Sequence, residues 1–149
     1  MISIYILRHG EATMDSATDA ARPLTPLGKQ QVQHSGQHLP PLDLMVVSPY
    51  VRAQESADQI EAVFASQGLS IGRRQDSETL VPESSINAAM GWLEDVDATS
   101  VLLVSHNPLV TELTQVLTGD RNVRFGTGTL VHLRGDIIAP GCMRVDAIY

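Results

Sequence analysis

Arg8, His9, Arg52 and His106 are the residues whose types and settings could do chemistry in this chain. Arg8 and His9 close the apolar run Ile2-Ser3-Ile4-Tyr5-Ile6-Leu7 and are followed by Gly10. Arg52 comes just after a second apolar run, Leu44-Met45-Val46-Val47, and the junction Ser48-Pro49-Tyr50-Val51. His106 follows a third, Val101-Leu102-Leu103-Val104, and Ser105. Guanidinium forks match phosphate oxygens two at a time. A neutral imidazole can attack phosphorus, and a second imidazole beside a phosphate dianion gains proton affinity and helps to neutralise it. Together the four side chains suit phosphoryl transfer better than acyl transfer. Each alone is equally at home as a capping or surface residue, so the argument rests on one kind of junction occurring three times.

That junction is a buried strand delivering polar residues at its carboxyl end. β-Branched and aliphatic runs of this length read as central strands covered on both faces. Gly10 lets the backbone turn tightly and lets a ligand approach it. After it, Glu11 to Arg22 has no clear period and reads as an active-site loop or a loosely helical stretch. Thr25 caps a helix with Pro26 at its first position, running to about Leu39 before Pro40-Pro41. Ser48 and Pro49 open a second helix in the same way, which continues through Ala53, Ala57, Ile60 and Phe64 to Gly68. Arg52 then lies in the first turn, where a cation opposes the helix macrodipole unless an anion binds there. Ser70–Arg74 reads as a short strand, Gln75–Ser85 as a loop and Ile86–Leu93 as a modest helix. Asn107 and Pro108 open a last helix with the stripe Leu109, Val110, Leu113, Val116 and Leu117, ended by Gly119. Thr129–Leu133 and Met143–Ile148 read as two closing strands. In an open α/β sheet the carboxyl ends of such strands share one edge, where ligands bind.

Composition narrows the class. The 149 residues suffice for one domain with a sizeable core, and residues 1–149 read as a single domain. A formal charge of −7, from 10 basic and 17 acidic residues, argues against nucleic acid or an anionic membrane as a partner. Anion binding must therefore come from a local cluster working against the global field. Cys142 is the only cysteine, so no internal disulfide forms, which fits a reducing compartment. With the first strand at the very start, no signal peptide is expected, nor any membrane span, and a cytoplasmic protein is the expectation.

Arg8-His9-Gly10 after a first strand, Arg22…Leu24-Thr25…Gly28, Ser48-Pro49…Arg52-Ala53…Glu55-Ser56 and Ser105-His106 together resemble the histidine phosphatase superfamily, which includes phosphoglycerate mutases and acid phosphatases. Within it the chain is most similar to the SixA-type phosphohistidine phosphatases. It shares their compact length, Arg8-His9-Gly10-Glu11-Ala12, the downstream Asp15 and Arg22-Pro23-Leu24-Thr25. The resemblance implies a three-layer α/β/α sandwich with a mainly parallel central sheet, phosphoglycerate mutase-like and without a helical lid. It implies that His9 is the nucleophile that becomes phosphorylated and that Arg8, Arg52 and His106 hold the phosphoryl oxygens; no metal-ligand set lies near these junctions, so no metal or cofactor is expected. Mutase-like members place a phosphate-touching asparagine where this chain has Asp15, whose charge would repel phosphate. The short interval between Arg52 and His106 leaves little material to roof a small-molecule site. The implied substrate is a phosphohistidine on a phosphotransfer (HPt-type) signalling protein, and oxyanions such as tungstate should enter the pocket.

Superfamily members that cleave esters protonate the leaving alkoxide with a carboxylic acid. Glu78 and Glu83 lie in the right region, but neither has the expected glutamate–glycine setting. A phosphoramidate lowers the need, because imidazole leaves far more readily than an alkoxide. The alternatives are a small-molecule phosphomonoesterase using Glu83 or Glu78, and a phosphoprotein-binding module without turnover. A module would need the arginines but not the intact His9. Arg22 is read as ordering the loop or touching substrate. His34 and His38, four apart, lack the further ligand a metal site needs. His132, Trp92 and the methionines read as structural, and Gly126-Thr127-Gly128-Thr129 as a tight turn or a source of amides for phosphate.

Overall fold

The short apolar runs do become strands in the computed structural model, which describes residues 1–149. The chain runs β1 (Ile2–Arg8), α1 (Pro26–Gly36), β2 (Leu42–Val47), α2 (Val51–Gln67), β3 (Ile71–Asp76), a 3-10 turn (Glu78–Leu80), α3 (Ile86–Glu94), β4 (Ser100–Ser105), α4 (Leu109–Thr118), β5 (Leu130–Gly135) and β6 (Met143–Ile148). One six-stranded sheet has the order β3-β2-β4-β1-β5-β6. β3, β2, β4 and β1 are parallel, while β5 runs antiparallel to both β1 and β6.

Alternation along the strands sends side chains to two cores. Tyr5, Leu7, Met45, Val47, Leu102 and Val104 pack with Val32 of α1 and Ala53, Ala57, Ile60 and Phe64 of α2. Ile4, Ile6, Leu44, Val46, Val101 and Leu103 pack with α3 and α4 through residues such as Met90, Leu93, Val110 and Leu113. The result is the expected three-layer α/β/α sandwich. β1 and β4 are neighbours, yet β1 leads through α1 toward one side of the sheet and β4 through α4 toward the other. That reversal opens a crevice at their carboxyl ends, the usual ligand position in such folds.

Helix ends follow local chemistry. Thr25 caps α1 by accepting from the Gly28 amide at 3.0 Å, and Gly68 and Gly119 end α2 and α4 with φ of 70° and 77°. Three expectations at the ends need correction. α1 stops at Gly36 and not near Leu39, because the His38 and Leu39 amides reach only three residues back, to the Ser35 and Gly36 carbonyls. α2 begins at Val51 with Tyr50 as its cap residue, so Pro49 precedes the helix; Ser48 Oγ accepts from the Tyr50 amide at 3.3 Å. α4 has Pro108, not Asn107, at its cap, because the Asn107 side chain bridges Phe125 O and the Thr111 hydroxyl. The methionines also divide: Met45, Met90 and Met143 fill the core, while Met1 and Met14 are exposed. No helix is long and apolar enough to cross a membrane.

Gly10 and Gly28 bring the chain after β1 against the first turn of α1. A Cβ at Gly10 would strike the Gly28 carbonyl oxygen, and one at Gly28 would strike that of Glu11. Gly28→Ala is therefore expected to destabilise the protein by about 1–3 kcal/mol through forced backbone movement. Gly91→Ala, in α3 with nothing within 4 Å of the added Cβ, should stabilise by about 0.5–1 kcal/mol. Thermal unfolding of the two variants checks both signs, and an unshifted Gly28→Ala would mean that the loop does not press on α1.

Candidate active site

The register of β1 on β4 places Arg8 opposite Ser105, so His9 and His106 follow at the same height in the crevice. Their ring centroids are 4.9 Å apart. α2 brings the third element, and Arg52 Nε donates to His9 Nε2 at 3.2 Å. All three side chains are buried, with His9 only 6% exposed. Arg8 joins them by anchoring one guanidinium nitrogen on Phe125 O at 2.9 Å.

Backbone groups fix the strand end. Gly128, in a left-handed conformation, donates its amide to the carbonyls of both Arg8 and His9. The Gly126–Thr129 segment thus works as a brace, with this amide already spent. Ser35 of α1 donates in turn to the Gly128 carbonyl. On the other side the Gly10 amide donates to Ser56 Oγ at 3.1 Å, and that hydroxyl donates to Arg52 O at 2.7 Å. Ser56 therefore couples the turn that carries Arg52 to the turn that carries His9. Glu55 holds the loop by accepting from the Leu24 amide at 2.7 Å.

Hydrogen bonding assigns the imidazole roles. His9 Nδ1 lies 2.7 Å from Gly10 O, which can only accept, so Nδ1 carries the proton and Nε2 keeps its lone pair. His106 Nε2 lies 2.7 Å from Ser48 Oγ, which already accepts from the Tyr50 amide and has its own proton free for Nε2. With the Ser48 hydroxyl donating, the His106 proton is on Nδ1, and neither Nδ1 nor Arg8 Nε, both buried, is met by a protein group. Buried polar groups that no protein group meets take their partner from water or from a ligand. Burial pushes the His9 pKa down to about 4, with Arg52 and Arg8 adding to the fall. Burial also pushes His106 down to about 2, helped by His9 and Arg52. Both rings are neutral near pH 7 when the site is empty.

The loop after β1 supplies a residue that the sequence reading missed. Asp19 gives its backbone oxygen to Arg52 Nη1 at 2.7 Å and a carboxylate oxygen to Nη2 at 3.2 Å. Its other oxygen takes Arg22 Nη1 at 3.1 Å. These arginines, Arg22 foremost, hold the Asp19 carboxyl below its usual pKa. Asp15 carries an exposed amide donated to Thr13 Oγ1 and is not the aspartate at the arginines. Arg22 also bonds the Thr13 carbonyl through Nε at 2.8 Å, so its contacts all lie in the loop. No helix roofs the site, yet Asp19 occupies the Arg52 fork. The largest cavity, about 530 Å³, opens at the opposite edge of the sheet around Asp43, Gly72, Arg73 and Asp97.

Of the carboxylates weighed as acids, Glu83 reaches the wall of the crevice and Glu78 does not. Tyr50 stands edge-on to His106 with centroids 5.2 Å apart, and Arg52 Cζ lies 5.0 Å from its ring centre. Its hydroxyl meets both Glu83 oxygens at 2.9 Å. Glu78 opens the 3-10 turn and forms no side-chain hydrogen bond. His34 and His38 form an edge-on pair, with His38 stacked on Tyr149. His132 stacks on Tyr5, bonds Ser3 Oγ at 2.9 Å and faces Asp146.

The family model for the histidine phosphatase superfamily (branch 1) matches residues 4–73. A phosphohistidine phosphatase SixA homolog of Haemophilus influenzae is 36% identical, over 91% of this chain and 89% of that protein. The chain belongs to the histidine phosphatase superfamily, with the SixA-type hydrolases. Among other superfamily relatives, the phosphohistidine phosphatase SixA of Escherichia coli is 26% identical, over 91% of this chain and 86% of its own length. A solved structure of the protein histidine phosphatase SixA complexed with tungstate superposes with a TM-score of 0.86 at 24% identity, covering 99% of this chain and 96% of that one.

Two outcomes follow from this geometry. An oxyanion and the Asp19 carboxylate compete for Arg52, so Asp19→Asn should tighten tungstate binding roughly three- to tenfold, and Arg52→Ala should weaken it by about ten- to a hundredfold. Calorimetric titration reads both, and equal affinity in Asp19→Asn would remove the competition. The second concerns pH. Both folded-state histidine values lie below the ordinary 6.5, so the unfolded chain binds more protons between those limits. Stability is then fully present above about pH 6.5 and falls as pH drops toward 4, by up to about 1.4 kcal/mol per pH unit for each histidine. Urea unfolding at pH 7 and 5.5 measures the fall, which should be shallower in His9→Gln.

Proposed function

We propose that this protein removes the phosphoryl group from a phosphohistidine on a phosphotransfer signalling protein, through a phosphorylated His9. The observation that carries the reading is the neutral His9 Nε2 facing the Arg52 guanidinium, beside two buried donors without partners, Arg8 Nε and His106 Nδ1. A phosphoryl group seated there gives its oxygens to Arg52, Arg8 and His106. His9 Nε2 attacks phosphorus as the substrate nitrogen leaves, and water then attacks the phosphorus of the His9 adduct to release phosphate. Negative charge builds on the equatorial oxygens, where fixed donors stabilise it without reorganising. His106, neutral when the site is empty, takes up a proton beside the dianion. Fixed guanidinium and imidazole groups supply the positive charge, so chelators should leave activity intact.

The relatives named for phosphohistidine support the substrate class, and the tungstate-bound structure of a fold neighbour supports oxyanion binding in the pocket. The architecture favours a protein-borne substrate. The chain between Arg52 and His106 is spent on α2, β3 and α3, which pack on the sheet and do not rise over its edge. Rapid acid-free quenching with a radiolabelled phosphotransfer domain should trap label on the enzyme as an acid-labile, base-stable adduct. His9→Ala should trap none and lose at least about a thousandfold in turnover. Turnover of His9→Ala at the parent rate would sink the mechanism, and preference for sugar phosphates would sink the substrate class.

A further inference from the structure

Tyr50 and Glu83 form a unit that the mechanism above does not use. The Tyr50 ring makes one wall of the crevice, against His106 and under Arg52. Its hydroxyl donates to Glu83, whose two oxygens are equidistant at 2.9 Å. The contacts of the Tyr50 ring with His106 and Arg52 set where that hydroxyl points, and through it the carboxylate. The phenol is a single donor, and Glu83 is exposed with no cation paired to it. Most of its accepting capacity is therefore free. Asp19, the other carboxylate at the crevice, is bound by Arg22 and Arg52. An uncompensated anion is thus held at the lip of a pocket made of arginines. Such a site fits a ligand with a dianionic head and a cationic shoulder.

We propose that Glu83, aimed by Tyr50, accepts the N–H of the substrate imidazole at the ring nitrogen that does not bear phosphorus. This rests on the phosphohistidine reading and assigns it a leaving-group device. When the P–N bond breaks, its electron pair stays on the substrate nitrogen, while the new bond forms from His9 Nε2 to phosphorus. If the far nitrogen already carries a proton, the departing group is neutral imidazole; if it does not, the departing group is an imidazolate. A carboxylate at that N–H stabilises the imidazolium form and extends it to higher pH. The proton stays on the substrate throughout the step. Glu83 is thus an acceptor for this substrate, the reverse of the proton donor that an ester would need. Tyr50 is a positioning residue.

The test follows phosphate release from phosphoimidazole by the full chain across pH, with tungstate affinity as a control on the pocket. In the parent enzyme kcat/KM should stay level well above the ordinary imidazole value of about 6.5. Glu83→Gln should lose about ten- to a hundredfold at pH 8 and much less at pH 6, where the substrate arrives protonated. Tyr50→Phe should shift the profile the same way by a smaller amount, and both variants should bind tungstate within about twofold of the parent. A pH-independent loss in Glu83→Gln, or no loss, overturns the assignment while leaving the phosphohistidine reading in place. A parent enzyme that cleaves esters but not phosphoimidazole overturns both. Loss of ester cleavage in Glu83→Gln with phosphoimidazole unaffected would make Glu83 a general acid instead.

Discussion

The site depends on one pairing, the parallel register of β1 on β4. Because Arg8 stands opposite Ser105, the next residue of each strand is a histidine at the same height. Any slip by one residue would turn one imidazole into the wrong core, since strand side chains alternate between faces. Ile4, Ile6, Leu7, Val101, Leu102 and Leu103 on the two strands are essentially inaccessible, so the register is held by both cores at once. The other elements brace this pair. β5 lies antiparallel on the free side of β1 and is preceded by the Gly128 amide that grips the Arg8 and His9 carbonyls. α2 fixes Arg52 against His9 through Ser56.

Placing two arginines and two histidines in one buried crevice raises an electrostatic problem in a chain that is otherwise acidic. Four full charges there would repel at short range and with little solvent to screen them. Desolvation limits the problem by keeping both rings neutral, and Asp19 offsets the arginines that remain charged. The same desolvation suits the chemistry, because only the neutral ring has a lone pair to give. Stability and reactivity are thus linked through the proton. A site that waits with neutral imidazoles is poised to take a dianion and then a proton.

Much of this arrangement was legible because it is local. The strand ends carry their polar residues within a few positions of an apolar run, and the glycines that end α2 and α4 sit where the stripe stops. The alternation of such runs with helical segments pointed to an open α/β sheet, and the three-layer sandwich was implied by the resemblance to the histidine phosphatase superfamily. What escaped the sequence reading lies at long separation or in segments without period. Asp19 belongs to a loop with no hydrophobic pattern, and only the fold sets it against Arg52. Ser48 was visible as a cap candidate, but its pairing with His106, across half the chain, was not. The Tyr50–Glu83 contact joins a helix cap to an aperiodic loop. Proline misled the reading twice, because Pro49 and Pro108 were placed inside helices that begin after them. In both cases the polar residue before proline serves the site instead of the helix: Ser48 bonds His106, and Asn107 shares Phe125 O with Arg8.

The occupancy of the Arg52 fork by Asp19 bears on how the pocket selects its ligand. Asp19 satisfies Arg52 and Arg22, but leaves Arg8 Nε and His106 Nδ1 buried and unpaired. Each unpaired donor costs about 1–3 kcal/mol relative to one that is met. Asp19 does not reach these two, because its oxygens are held at Arg52 and Arg22. A tetrahedral dianion has enough oxygens to take over from Asp19 and to reach the two orphans as well. The exchange therefore favours a phosphoryl group, with three terminal oxygens, over a ligand whose carboxylate offers two. Donors that no protein group meets would weight the pocket toward the ligand with more oxygens, while Asp19 pairs with Arg52 in the empty site. The loop that carries Asp19 is tied down by Arg22 and by Glu55 at the Leu24 amide, so displacing the carboxylate need not unfold it.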